Sequence, residues 1–468
     1  MSDSPLPGWA VSRGGDTPLP EQVARTLLRH MDEHQLPAGS RLPSIRRLAS
    51  QTGASRFSVV EAYDRLMARG VVEARQGMGF FVRRPPQPEP ETRSEPVPRQ
   101  LDTGRQDVQW LLQQVLQREL PLPPALLDSR LLRSAQRSVL RHSHDEDAPA
   151  YGHPLGLPEL RAQLARQLAA ADIPVHPDRN LLLTHGVTHA LDLVLRHHVQ
   201  PGDTVLVEDP AWFVVFGRLQ AAGARVIGIR RGPQGPDLAQ LEDMAREHRP
   251  RLFIVNSGLH NPTGYSLSLG HAVDVLDIAQ RHDLLIFEDD TWSDLLPRPP
   301  VRLAALDRCR RVLLAGGYAK LISPTLRVGY LAAAPEQIAA LTGLKLLTGL
   351  TSCAHSEAVV HQVLAEGQFR RHLQRLQTRL QQARRVAQAQ AARLGLHPAH
   401  PEASHGPFLW LDTGRSSLTL SQTLASAGVV AAPGSLFSPQ RQDSTWLRLS
   451  VLTPPPHWEL IGSALARM

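Results

Sequence analysis

Residues 312–330 read Val-Leu-Leu-Ala-Gly-Gly-Tyr-Ala-Lys-Leu-Ile-Ser-Pro-Thr-Leu-Arg-Val-Gly-Tyr, an apolar run that enters a glycine turn and delivers Lys320. The exit from such a run is a poor place for a solvated ammonium. Burial lowers a lysine pKa and leaves a neutral amine able to attack an aldehyde. Arg327 follows within the same stretch, near enough to grip the phosphate of whatever Lys320 holds. Taken alone, Lys320 fits a snorkelling structural lysine equally well. Composition sharpens the question: 51 residues are basic, yet lysine occurs only at Lys320 and Lys345. Arginine keeps its proton near neutral pH and cannot form a Schiff base, so a retained lysine invites inspection. Lys345, in Leu-Thr-Gly-Leu-Lys-Leu-Leu, reads as a helix surface residue.

Working outward, short apolar runs at 181–183, 204–207, 252–255, 284–287 and 312–314 alternate with helical periods. That rhythm implies βαβ units, a mostly parallel sheet and the α/β class. Open α/β sheets collect ligands at the carboxyl ends of their strands. Thr184-His-Gly-Val-Thr188 opens a helix there, so its amides and Thr188 suit a phosphate. Asp209-Pro-Ala-Trp212 brings a ring, His260-Asn-Pro-Thr-Gly264 an amide in a turn, and Glu288-Asp289-Asp290 carboxylates. An electron-sink cofactor needs this set: an amine for its aldehyde, an acid at the ring nitrogen, a stacking ring and a phosphate clamp.

The N-terminal region has a different pattern. A helix starts around Pro18 and carries Val23, Leu27, Leu28 and Met31 on the 3.6 period. Ser44 caps a second helix, Gly53 supplies a turn, and Ser55 caps a third helix that ends at Gly70. Val71–Ala74 and Phe80–Val82 then flank Arg75-Gln-Gly-Met-Gly79, a glycine-bearing hairpin. Three helices and a β-wing make a winged helix-turn-helix, whose third helix enters the major groove. Ser55, Arg56 and Ser58 then face base edges, while Arg46 and Arg75 reach phosphates or guanine. A helix-turn-helix kept for protein contacts is the competing reading. The stretch from Arg84 to Gln100 is rich in proline and glutamate and reads as an extended linker. The expected domains are 1–84 (DNA-binding head), 85–105 (linker) and 106–468 (cofactor-binding body).

At 468 residues the chain exceeds what one core organises. Its net charge of +7 permits a polyanionic partner. No run approaches the roughly 20 apolar residues that cross a bilayer, so no membrane partner is expected. Met1–Gly15 has no apolar core of the signal-peptide type. Cys309 and Cys353 supply no disulfide framework, and none of the 21 histidines has a zinc spacing. A cytoplasmic protein without a bound metal is the expectation.

Three resemblances follow from these residues. Gly39-Ser-Arg-Leu-Pro-Ser-Ile-Arg-Arg-Leu-Ala49, Ser55-Arg56 and Arg75–Val82 resemble the GntR family of regulators. That resemblance implies DNA contacts from Ser44, Arg46, Ser55, Arg56, Ser58, Arg75 and the wing around Gly77. From roughly Tyr151 to the C-terminus, the chain resembles fold-type-I pyridoxal-phosphate enzymes of the aspartate aminotransferase family. By that resemblance Lys320 holds the aldehyde of pyridoxal 5'-phosphate, Asp289 pairs with its ring nitrogen and Asn261 holds its phenolic oxygen. Trp212 stacks on the ring, while Val187, Thr188 and Arg327 bind the phosphate. Tyr151 reaches the phosphate of a neighbouring subunit, which implies a homodimer, and Arg448 clamps a substrate carboxylate. Two positions depart from the family pattern: Gly317 replaces a common serine or threonine, and Thr291-Trp292 stands where a tyrosine is usual.

A GntR-type head joined to an aminotransferase-like body is similar to the layout of the MocR subfamily. It implies a regulator whose binding to a double-stranded DNA operator responds to pyridoxal phosphate, an amino acid or an amine. An active aminotransferase carrying a DNA-binding head is the alternative. A third reading, a decayed cofactor site, conflicts with the presence of Lys320, Asp289 and Arg327.

Overall fold

The computed structural model describes residues 17–83, 126–142, 151–365 and 367–468, together with Trp9, Val11 and Leu122. The expected linker, 85–105, lies outside the described residues. The chain divides into two compact units, Met1–Leu101 and Asp102–Met468.

In the first unit, α1 (Leu19–Glu33) buries Val23, Leu27 and Met31 of the anticipated stripe together with Ala24, while Leu28 is half-buried. Ser44 caps α2 (Ile45–Thr52), with its Oγ accepting from the Arg47 amide. Gly53 turns the chain at φ +70, a left-handed conformation costly for a residue with a Cβ. Ser55 caps α3 (Arg56–Ala68) in the same way, through the Ser58 amide. The hairpin strands β1 (Val72–Arg75) and β2 (Gly79–Val82) pair antiparallel, Val72 opposite Val82 and Arg75 opposite Gly79. Two contacts fix the wing and helices together. Tyr63 stacks on Phe80 at 3.9 Å and donates its hydroxyl to the Pro43 carbonyl at 2.5 Å. Glu21 accepts from Arg65 and Arg69, joining α1 to α3.

Among the described residues, the first helices of the second unit are α4 (Ser129–His142) and α5 (Pro158–Ala169). Strand and helix then alternate through β3 (Leu181–Thr184), α6 (Val187–His198), β4 (Thr204–Asp209), α7 (Phe213–Ala221) and β5 (Arg225–Arg230). The alternation continues through α8 (Leu238–His248), β6 (Leu252–Val255), α9 (Leu269–Arg281), β7 (Leu285–Asp289), α10 (Leu303–Asp307), β8 (Val312–Gly317) and β9 (Gly329–Ala332). These strands form one seven-stranded sheet in the order β3-β9-β8-β7-β6-β4-β5. It is parallel except at β9, which runs antiparallel to both neighbours. Successive strand residues serve opposite faces: Leu206, Phe253, Ile286 and Leu314 join one core, and Val205, Ile254, Phe287 and Leu313 the other. Burial of both faces is why these strands read as continuous apolar runs rather than alternating ones.

The chain continues through α11 (Pro335–Gly349), α12 (Ala354–Ala365) and α13 (Gln368–Arg393). A smaller antiparallel sheet follows, in the order β10 (Phe408–Asp412), β12 (Trp446–Ser450), β11 (Ala432–Pro433). Helices α14 (Ser417–Ser426) and α15 (Pro455–Arg467) accompany it. The α/β expectation therefore holds, with β5 and β9 the sheet strands that the apolar runs did not mark.

One expectation is corrected here. Lys345 is not a surface residue: it is 1% exposed, and its Nζ donates to the carbonyls of Pro154 at 2.9 Å and Leu183 at 3.0 Å. Two positions along, Leu347 is 87% exposed. The apolar neighbours of Lys345 made the surface reading a matter of residue type, whereas helix rotation against β3 decides which side chain points inward.

Candidate functional site

The parallel strands end together, and their carboxyl ends surround a cavity of about 370 Å³. Lys320, just beyond β8, lines it and has its pKa pushed down to about 8, first by burial and then by Arg327 and Arg448. Its Nζ lies 5.6 Å from the ring centre of Trp292. Across the cavity, Asp289 closes β7. Burial raises its pKa, while hydrogen bonds from Thr291 and the charge of Lys320 oppose the rise. The Thr291 amide donates to Asp289 Oδ1 at 2.9 Å and its hydroxyl at 2.5 Å, and Asn256 Nδ2 reaches the Asp289 carbonyl at 2.6 Å.

The run Glu288-Asp289-Asp290 is split among three jobs by strand geometry. Glu288 accepts from the amides of Leu303 and Ala304, both at 2.8 Å, and so caps α10. Asp290 pairs with Arg302 at 2.8 Å. Asp289 alone faces the cavity.

A glycine-lined cup lies at the start of α6. Gly186 (φ +87) precedes the helix, and Val187 and Thr188 open it. A Cβ on Gly329 would lie 2.6 Å from Gly186 Cα, so β9 approaches this turn only because Gly329 lacks a side chain. Arg327 closes the cup and donates to the His185 carbonyl at 3.0 Å. Gly317, where a hydroxyl was looked for, has Gly329 Cα 3.3 Å from its Cβ direction, leaving little room for a serine or threonine.

Trp212 and Asn261 line the same cavity. Arg448, on β12 and 2% exposed, donates to Asn261 Oδ1 at 2.9 Å and lies over the rings of Phe408 (4.2 Å) and Phe437 (4.9 Å). Tyr151 is the exception among the expected residues, being 80% exposed and away from the cavity lining. Sequence reasoning missed Asn256 and the buried pair Glu208–Arg231, in which Glu208 also accepts from the Asn256 amide at 2.8 Å, and gave no role to Thr291, which donates to Asp289. An acid at the end of the apolar run Thr-Val-Leu-Val-Glu was the available signal.

In the head, Ser44, Arg46, Ser55, Arg56, Arg75 and Gly77 are exposed. Arg75 is held by Glu73 at 2.7 Å and lies 4.5 Å over the Phe81 ring. Ser58 corrects an expectation: it is buried, with its hydroxyl 2.9 Å from that of Ser55. Its amide completes the Ser55 cap, and its side chain is turned inward rather than exposed. Phe57, 78% exposed beside Arg56, was missed.

Comparison with known proteins resolves the family. The description "Aminotransferase class I and II" matches residues 125–460. This chain belongs to that family. The description "Bacterial regulatory proteins, gntR family" matches residues 19–82. HTH-type transcriptional regulator YdcR of Escherichia coli K12, described as uncharacterized, is 27% identical over 92% of this chain and 94% of its own length. The probable rhizopine catabolism regulatory protein MocR of Rhizobium meliloti is 28% identical over 78% of this chain and 76% of its own. Among solved structures, α-aminoadipate aminotransferase LysN of Thermus thermophilus, complexed with N-(5'-phosphopyridoxyl)-L-leucine, superposes with a TM-score of 0.67. It is 26% identical and covers 74% of this chain and 90% of its own. This aminotransferase-family chain is thus a GntR-type DNA-binding regulator fused to an aminotransferase-like domain, a MocR-like arrangement. Among the described residues, no helix is long and apolar enough to cross a membrane.

Proposed function

We propose that the body, 106–468, binds pyridoxal 5'-phosphate at Lys320 and that an amino acid or amine arriving there alters operator binding by the head, 1–84, through the segment 85–105. The observation that carries this reading is the meeting of a depressed-pKa lysine, a buried carboxylate and a glycine-lined anion cup around one cavity. The donor set fits the group. Once bound, pyridoxal phosphate supplies an aldehyde and an electron-withdrawing ring. Lys320 offers the neutral amine that holds the aldehyde, and Asp289 keeps a proton at the ring nitrogen. Trp212 covers the ring face, while the Asn261 amide serves the phenolic oxygen, its own carbonyl being engaged by Arg448. Val187, Thr188 and Arg327 hold the phosphate, where helix-start amides and a guanidinium add their charge. Arg448 receives the effector's carboxylate.

In the head, Arg56 and Ser55 address base edges, with Phe57 offering an apolar contact to a thymine methyl. Ser44, Arg46, Arg75 and the Gly77 turn meet the backbone. A cytoplasmic homodimer completes the proposal. Tyr151 is 80% exposed on a loop that abuts Ser352, and Leu347 and Leu350 are 87% and 51% exposed nearby in sequence. A partner subunit would cover those apolar groups and receive Tyr151 at its own phosphate cup.

The complete set of Lys320, Asp289 and Arg448 also suits a working aminotransferase. The deciding experiment records the absorption of the full chain with pyridoxal phosphate, titrates amino acids into it, and follows keto acid and operator binding in the same samples. A cofactor band absent from Lys320→Ala, with operator affinity responding to one amino acid and no keto acid accumulating, is the expected result. Sustained keto-acid production would favour the enzyme. No cofactor band in the wild type would overturn the site.

A further inference from the structure

Helix α4 carries Arg130, Arg133, Arg137 and Arg141, all exposed, at spacings of three and four residues that place them along one face. Together with Ser134 they line a shallow surface depression. The helix contains no acidic residue. On α13, Arg371, Arg375 and Arg379 repeat every four residues and are also exposed, and this helix too has no acid in its 26 residues. The two rows are contiguous: Arg130, Arg375 and Arg379 line one further depression, and Arg375 reaches Asp128, at the foot of α4, at 2.9 Å. Among the described residues it is the one ion pair made by the side chains of either row.

We propose that this two-row arginine face of the body binds the phosphate backbone of duplex DNA beside the operator, extending the grip of the head. The argument is one of shape and charge. A compact anion needs donors that converge on a point, as they do at the Gly186 cup, whereas these guanidinium groups are strung along helices. Steps of three or four residues advance about 4.5–6 Å, so the α4 row runs roughly 16 Å. A row of cations matches a row of phosphates, and DNA presents one negative charge per about 1.7 Å of axis. Arginine serves this role with a planar, weakly hydrated fork that binds phosphate in two places at once. The polar side chains between the arginines, Ser134, Gln374 and Thr378, add donors of the kind that contact phosphate oxygens. Duplex DNA is chosen over other polyanions because the head of the same chain delivers it.

The inference rests on DNA binding by the head, and its test separates the two. A sequence selected by the full chain from a random pool is placed in duplexes of about 20 base pairs, two half-sites' worth, and of about 60 base pairs. Affinity and its salt dependence are measured for wild type, for the triple variant Arg133→Gln, Arg137→Gln, Arg371→Gln, and for the corresponding lysine triple. Wild type should bind the longer duplex about tenfold more tightly and with a steeper slope. The glutamine triple should lose that gain, its slope falling by about 0.9 for each phosphate contact removed. It should match wild type on the shorter duplex and in cofactor absorption, and the lysine triple should retain most of the gain. Equal wild-type affinity for the two lengths, or a gain that survives in the glutamine triple, would overturn the proposal. Arg56→Ala acts on both lengths, so an assignment error in the head shows itself separately.

Discussion

At Lys320, burial and two neighbouring guanidinium groups act in the same direction, and one carboxylate opposes them. With its pKa near 8, the amine is mostly protonated at pH 7 and mostly neutral at pH 9. Cofactor uptake should therefore accelerate across that interval and level off above it, as stopped-flow absorption at several pH values would show. An unchanged rate would mean that the amine is not the attacking group. Lys345 shows how the same residue type can be recruited for structure. Replacing it with methionine leaves the Pro154 carbonyl without this donor and the Leu183 carbonyl with the Ser352 hydroxyl at 3.4 Å, at a cost of about 1–3 kcal/mol. Its folded pKa, about 8, lies below the ordinary lysine value of 10.5, so the unfolded chain binds more protons between those limits. The contribution of Lys345 to stability must rise with pH through that window. The difference between wild-type and Lys345→Met unfolding curves, measured from pH 8 to 10, should widen as pH increases.

Among the elements, the turn before α6 and the start of β9 depend on each other. A methyl group on Gly329 would displace the backbone of Gly186 and widen the cup. Gly329→Ala should raise the dissociation constant for pyridoxal phosphate about tenfold or more and lower the melting temperature, since overpacking costs about 1–3 kcal/mol. Retention of wild-type affinity, read by absorption titration, would show that the cup is not the phosphate site. In the head, Ser55 sets the first turn of α3 and thereby the direction of Arg56. Ser55→Ala should destabilise the head by about 1 kcal/mol and weaken operator binding, while Ser55→Asp preserves the cap. Calorimetry of the three proteins checks the stability ranking, and operator titration checks the binding loss in Ser55→Ala.

For the whole molecule, the division into two compact units predicts that the two binding activities can be removed one at a time. Arg56→Ala should abolish specific operator binding and leave cofactor absorption intact. Lys320→Ala should do the reverse to the cofactor while still binding the operator, without a response to amino acids. Filter binding and absorption on the same preparations measure both. Loss of both activities in either variant would argue against separable units.

Much of this was legible in the linear chain because the deciding signals are local. Apolar runs of strand length, glycine punctuation and capping serines specify elements within a few residues of themselves, and they marked the head and five of the seven sheet strands. Lys320, Asp289, Asn261 and Arg327, singled out beside such elements, all line the one cavity. Strands β5 and β9 were missed since Arg225–Arg230 starts and ends on exposed arginines with Gly228 between its apolar residues, and Gly329–Ala332 opens on glycine. What only the tertiary structure decided concerns direction and neighbours. Strand alternation assigned Asp289 to the cavity while Glu288 capped a helix and Asp290 paired with Arg302. Helix packing buried Lys345 and exposed Leu347, and capping turned Ser58 inward. The arginine rows of α4 and α13 lie more than 200 positions apart and meet at Arg130, Arg375 and Arg379 only in the folded chain. Sequence specifies which groups are present and what local backbone they prefer, but the side to which each group points is fixed by packing against residues far along the chain.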